Sequence, residues 1–129
     1  MDRYIIAIYL RLSVEDKRVE SMSIESQRLL LRKYAEALGD NVEIIEYVDN
    51  GYSGTNLERP AVQQLLNDVK AYKMNCILVK DFSRFGRNSI EVGYFTQQIF
   101  PLFGVRFISV SDNYDSNDIR AIRAALPLR

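Results

Sequence analysis

Three short stretches of this chain pair a guanidinium with a hydroxyl. Arg11 and Ser13 stand two residues apart, Ser53 precedes Arg59, and Ser83 and Arg84 are followed by Arg87. Guanidinium groups match phosphate oxygens in bidentate geometry. A serine hydroxyl is a weak nucleophile until its proton is taken or its pKa is lowered. The chain contains no histidine, which excludes every histidine-based triad, dyad or proton shuttle. Its one cysteine, Cys76, excludes an internal disulfide and a structural Cys/His zinc site within one chain. It has no Walker-type phosphate loop and no Rossmann glycine fingerprint. What remains is phosphoryl chemistry on a hydroxyl, with several arginines stabilising a pentacoordinate transition state without a metal. Taken singly, each arginine reads better as a surface ion-pair partner of Asp49, Asp81 or Glu58. Four such positions on one edge of a sheet make that reading the weaker one.

The elements that must carry these residues are legible. Tyr4 to Leu10 is apolar and rich in β-branched residues, with no polar alternation, as in a strand buried on both faces of a parallel sheet. Ser23 caps a helix with Glu25 in its first turn. Ile24, Leu31, Tyr34, Ala35 and Leu38 line one face of that helix, and Gly39 stops it. Val42 to Val48 alternates more and reads as a strand nearer an edge. Pro60 opens a second helix, with Val62, Leu65, Leu66, Val69 and Tyr72 as its stripe. Cys76 to Val79 is a short buried strand. Ser89 is read as the cap of a helix whose apolar face includes Ile90, Tyr94, Phe95 and Ile99, and which Pro101 ends or kinks. Val105 to Val110 is a fourth strand. The β-α-β-α-β-α-β order implies a three-layer α/β/α domain with right-handed crossovers around a mainly parallel central sheet of four to five strands. In such a sheet the loops after the first three strands share one edge, where ligands bind. On a helical turn Arg84 and Arg87, three apart, share a face. Val14 to Met22 reads as an exposed loop.

Here the residues meet a known family. Tyr9-Leu10-Arg11-Leu12-Ser13, then Tyr52-Ser53-Gly54-Thr55-Asn56 through Arg59-Pro60, then Val79-Lys80-Asp81-Phe82-Ser83-Arg84-Phe85-Gly86-Arg87-Asn88 resemble the serine site-specific recombinases of the resolvase/invertase group. The wording is most like the large serine recombinases of transposons and integrative elements. The resemblance implies the resolvase-like N-terminal catalytic domain. It implies that Ser13 attacks a DNA phosphodiester, forms a 5′-phosphoserine link and frees a 3′-hydroxyl. Strands then exchange within a tetramer and are religated by the reverse attack, with no cofactor and no metal. Arg11, Arg59, Arg84 and Arg87 fall on the family's phosphate-binding arginines. Gln27, Asp49 and Ser53 fall on supporting positions, although Gln27 lies further from the serine than in the small resolvases. Ser83 stands where those proteins carry an aspartate. DNA is the implied partner, with a homodimer or tetramer in the full-length protein.

Composition bounds the rest. With 129 residues, 47% hydrophobic and 26% charged, the chain reads as one globular domain without a membrane span, and the expected location is cytoplasmic. The 17 basic and 17 acidic residues cancel, which leaves room for a local basic site but not for indiscriminate polyanion binding. The expected division is a catalytic domain over 1–115 and a truncated or altered tail over 116–129. In that tail Ile119 to Leu126 is a short helix or disordered. The family's long dimerisation helix and DNA-binding region are not visible, so the chain by itself is expected to bind DNA weakly and recombine nothing. Two rivals stay open: a recombinase-like module that binds DNA or protein without cutting, and an unrelated flavodoxin-like domain holding a small phosphorylated ligand.

Overall fold

The computed structural model describes residues 3–13 and 23–118. The loop read at Val14 to Met22 and the helix read at Ile119 to Leu126 lie outside the described residues. Strand β1 (Tyr4–Leu12) is interior, paired in parallel with β2 (Val42–Asn50) on one side and β3 (Cys76–Val79) on the other. Strand β4 (Arg106–Ser109) continues the parallel sheet beyond β3. A two-residue strand β5 (Tyr114–Asp115), which periodicity could not reveal, closes the edge in antiparallel fashion. The order is β2-β1-β3-β4-β5, so β2 is an edge strand, as its half-buried pattern suggested.

Alternation along β1 splits the core. Ile6, Ile8 and Leu10 face helix α1 (Ile24–Glu36), where Leu31 and Ala35 meet them with Leu78 and Ile108. Ala7 and Tyr9 face the opposite layer. That layer holds Val62, Leu65 and Val69 of α2 (Pro60–Lys70), Phe85 of α3 (Phe82–Phe85) and Val92 of α4 (Ser89–Tyr94). Ser23 caps α1 by accepting from the Ser26 amide at 3.1 Å. Cys76 is fully buried in β3, and burial pushes its thiol up to about 12, so it is an inert core residue.

The helix after Asn88 corrects two expectations. Its cap is Asn88 rather than Ser89: the Asn88 Oδ1 accepts from the amides of Ile90 and Glu91 at 3.1 Å each. Its buried stripe is Val92, Thr96 and Phe100, with the expected Phe95 and Ile99 partly buried against the same core, while Ile90 is 85% exposed and Tyr94 48% exposed. The cause lies downstream. Pro101 has no amide to donate, and the helix widens into a π-helical turn (Phe95–Ile99) before a last short turn, α5 (Phe100–Leu102). A four-residue step drifts off a 3.6-residue helix but stays in line through a wider turn.

Arg106 and Asp115 join β4 to β5, with Nε to Oδ1 at 2.9 Å and Nη2 to Oδ2 at 2.6 Å. The Arg106 hydrogen bonds hold the Asp115 carboxyl below the usual carboxylate range, against partial burial. A folded pKa below the unfolded one stabilises the fold above the unfolded pKa, and that share is lost as pH falls through the folded value. Wild type is therefore expected to exceed Asp115→Asn by roughly 1 kcal/mol near neutrality. In urea titrations the gap should hold above the ordinary aspartate pKa of about 4 and close as pH falls below it and the folded-state carboxyl takes up its proton. A pH-independent gap would show that the pair's charge contributes nothing.

Candidate active site

The site is built on the carboxyl end of β1, where Tyr9 faces the α2 layer, Arg11 follows it by two residues on the same alternation, and Ser13 comes directly after the strand. Ser13 follows the last residue of the strand and is 2% exposed. Arg11 is fully buried. Its guanidinium donates to three main-chain carbonyls: Nε to Arg84 at 3.1 Å, Nη1 to Tyr52 at 2.9 Å and Nη2 to Ser83 at 2.8 Å. One side chain thus ties the loop after β2 to the segment after β3. Gln27 fixes the Arg11 backbone from the α1 side, its Nε2 donating to the Arg11 carbonyl at 3.0 Å and its Oε1 accepting from the Arg11 amide at 3.3 Å.

Arg59 enters from the amino end of α2 and is buried too. It donates from Nε to the Asn56 carbonyl at 3.0 Å and from Nη1 to the Tyr9 hydroxyl at 2.9 Å and the Arg84 carbonyl at 3.0 Å. Its Nη2 donates to the Phe85 carbonyl. Burial lowers its pKa, opposed by Tyr9 and Asp49. The Tyr9 hydroxyl in turn donates to Asp49 Oδ2 at 2.7 Å. Burial drives the Tyr9 pKa far above its ordinary value, with Asp49 adding to the rise and Arg59 opposing it, so the phenol keeps its proton. Asp49 also supplies the cap of α2, accepting from the amides of Ala61 at 2.8 Å and Val62 at 3.0 Å. It does so because β2 pairs in register with β1, Asp49 opposite Arg11.

Arg84 is the third buried arginine. Its Nη1 donates to the Arg11 carbonyl at 3.1 Å, which closes a mutual grip, since Arg11 holds the Arg84 carbonyl. Phe85 anchors α3 in the core, its ring 5.6 Å from Phe107 and 5.7 Å from Phe100. Arg84 and Arg87 do not share a helical face. Gly86 leaves α3 in extended conformation, and Arg87 stands exposed just beyond it, its amide donating to the Gly54 carbonyl at 2.9 Å. Ser53 is exposed, and its hydroxyl bonds with Thr55 at 3.2 Å. So Arg11, Arg59, Arg84, Gln27 and Asp49 form one bonded network, with Ser13 at the end of its central strand and Arg87 at its rim.

Sequence reading missed Tyr9, Asp81 and Gly54 as members. Tyr9 was findable, because it lies two residues before Arg11 on the same alternation. Asp81 caps α3, its Oδ1 accepting from the Arg84 amide at 3.2 Å. Burial tends to raise the Asp81 carboxyl, but the Ser83 hydroxyl, Arg84 and Lys80 outweigh it and hold the group below the usual range. Gly54 lets the Arg11 guanidinium lie against the backbone. A Cβ there would stand 2.9 Å from Arg11 Nη2 and 3.1 Å from the Ser83 carbonyl oxygen. Arg11 is held at three points and cannot swing aside. Gly54→Ala is therefore expected to destabilise the fold by about 1–3 kcal/mol, seen as a lower Tm. An unchanged Tm would mean that the clamp yields.

Among the described residues no cluster of three or more His, Cys, Asp or Glu side chains is placed to hold a metal ion, and no helix is long and apolar enough to cross a membrane. The profile of the family "Resolvase, N terminal domain" matches residues 6–124. The chain belongs to that family. Its fold is similar to the N-terminal catalytic domain of TP901-1 integrase, with a TM-score of 0.82 and 33% identity over 94% of this chain and 88% of that one. A resolvase family site-specific recombinase from Streptococcus pneumoniae matches with a TM-score of 0.73 and 28% identity over 95% of this chain and 83% of that one. In Bacillus subtilis (strain 168), the protein named "Putative DNA recombinase" is 34% identical over 82 residues, 64% of this chain. That match spans 16% of the Bacillus protein's length.

Proposed function

We propose that this chain is the catalytic domain of a serine site-specific recombinase acting on DNA. Ser13 Oγ attacks a backbone phosphorus, forming the Oγ–P bond of a 5′-phosphoserine as the bond from phosphorus to the 3′-oxygen breaks. The serine gives up a proton and the departing 3′-oxygen gains one. Strands exchange within a tetramer of the longer protein, and the 3′-hydroxyl of the new partner reverses the attack. Arg87, at the rim, meets the phosphate first. The buried arginines supply a fixed positive field where equatorial charge develops, which is the electrostatic form of catalysis open to a site without histidine.

The observation that carries this reading is the convergence of Arg11 and Arg59 on the Arg84 carbonyl, beside the strand end that bears Ser13. The family match supports it, and the zero net charge fits a domain that relies on another region for site recognition. The test is covalent capture. The 129-residue chain, fused to a DNA-binding module of known site, is incubated with nicked duplexes bearing that site and randomised sequence beside it. Tethering supplies the effective concentration that the chain lacks alone. A denaturant-stable adduct is expected, with the nucleotide on the peptide containing Ser13. No adduct, or one on another residue, overturns the reading.

A further inference from the structure

Arg84 is held at its backbone from several sides. Its amide donates to Asp81 Oδ1 at 3.2 Å, and its carbonyl accepts from Arg11 and Arg59. At its side chain, Nη1 donates to the Arg11 carbonyl, and Nε lies 3.7 Å from Asp81 Oδ2. That last distance suits an ion pair and is too long for a hydrogen bond. Asp81 does more than cap a four-residue helix. The Ser83 hydroxyl donates to its Oδ1, and Lys80 Nζ lies 3.4 Å from its Oδ2. The carboxylate thus grips residues 83 and 84, two of the three residues whose carbonyls receive the Arg11 guanidinium.

We propose that Asp81 is a positioning residue for the transfer reaction, fixing the Arg84 guanidinium and the 83–84 backbone on which the arginine network is assembled. This rests on the serine recombinase reading of the site. Asp81 does not touch the phosphate. Its charge acts through Arg84, and it opposes DNA binding rather than helping it, since it places a negative group beside the phosphate path. That opposition makes the role separable. A residue that merely supported the fold would change rate and binding together through stability. One that served DNA attraction would weaken binding when altered.

The discriminating variant is Asp81→Asn, because asparagine caps a helix as well as aspartate does and keeps a hydrogen-bond acceptor for Ser83. In the tethered chain with the nicked duplex, adduct formation is expected to slow by roughly 10- to 100-fold. The untethered chain should bind a plain duplex equally well or more tightly, with Tm lowered by no more than a few degrees, the effect of losing one partly exposed ion pair. Asp81→Glu, which restores the charge on a longer arm, should recover part of the rate. Wild-type rate in Asp81→Asn, or a loss of rate matched by a loss of duplex binding or of Tm, overturns the inference while leaving Ser13 as the nucleophile. Absence of adduct from the wild-type chain removes both the proposed function and this role.

Discussion

Ser13→Ala is expected to reduce covalent adduct formation by roughly 10⁴-fold or more, the scale seen when an enzyme loses its nucleophile. Duplex binding should be unchanged, since Ser13 is 2% exposed and offers little surface to the backbone of DNA. Stability should change little, because the substitution removes one oxygen at the end of a strand whose ladder is already closed by the Gly51 amide on the Leu12 carbonyl. The measurement pairs a denaturing gel of the tethered chain on nicked duplex with a thermal melt of the variant. Adduct surviving in Ser13→Ala would move the nucleophile elsewhere. A large fall in Tm would instead make Ser13 a structural residue.

Arg11→Met is expected to lower unfolding stability by about 3–5 kcal/mol, a large part of what a domain of this size possesses. Methionine fills the volume of the arginine stem, so the loss reports the guanidinium rather than a cavity. Removing it leaves the carbonyls of Tyr52 and Ser83 without their donor, each worth about 1–3 kcal/mol when buried and unmet, while the Arg84 carbonyl keeps only its bond from Arg59. Lysine does not rescue the site, because one ammonium cannot reproduce a planar fork on three acceptors. Urea titration of wild type, Arg11→Met and Arg11→Lys reads this directly. A change under about 1 kcal/mol would show that water satisfies those carbonyls in the variant.

The architecture was readable because its signals are local. An unbroken apolar run marks β1 as interior, Pro60 marks the start of α2, and the strand–helix alternation leaves few topologies. The partners inside the site were not readable. Surface ion pairs with Asp49, Asp81 or Glu58 were the reading preferred for any one arginine alone and the weaker one for the four together. Instead Arg11 and Arg59 reach backbone carbonyls that sequence does not mark as special. Arg84 Nε stands 3.7 Å from Asp81 Oδ2, an ion pair of the kind weighed for single arginines. Asp49 bonds the Tyr9 phenol and the α2 amides, a role set by strand register rather than by neighbours in sequence. Gly86 separates Arg87 from Arg84 by a backbone choice that three-residue spacing could not reveal. The same holds for Ile90 and Tyr94, whose exposure follows from a π turn set by a proline downstream.

The mutual grip of Arg11 and Arg84 spans 73 positions of sequence. Chains emerge from the ribosome amino end first. A nascent chain therefore carries its serine long before it has the segment that completes the charge cluster. Until β3 and α3 have docked, Arg11 has no carbonyls of residues 83 and 84 to hold, and Arg59 has none of residues 84 and 85. On the proposed reading, a half-made or proteolytically clipped chain has a nucleophile without a catalyst. Breakage of DNA is then confined to molecules that have finished folding, a safeguard that comes from connectivity and requires no inhibitor.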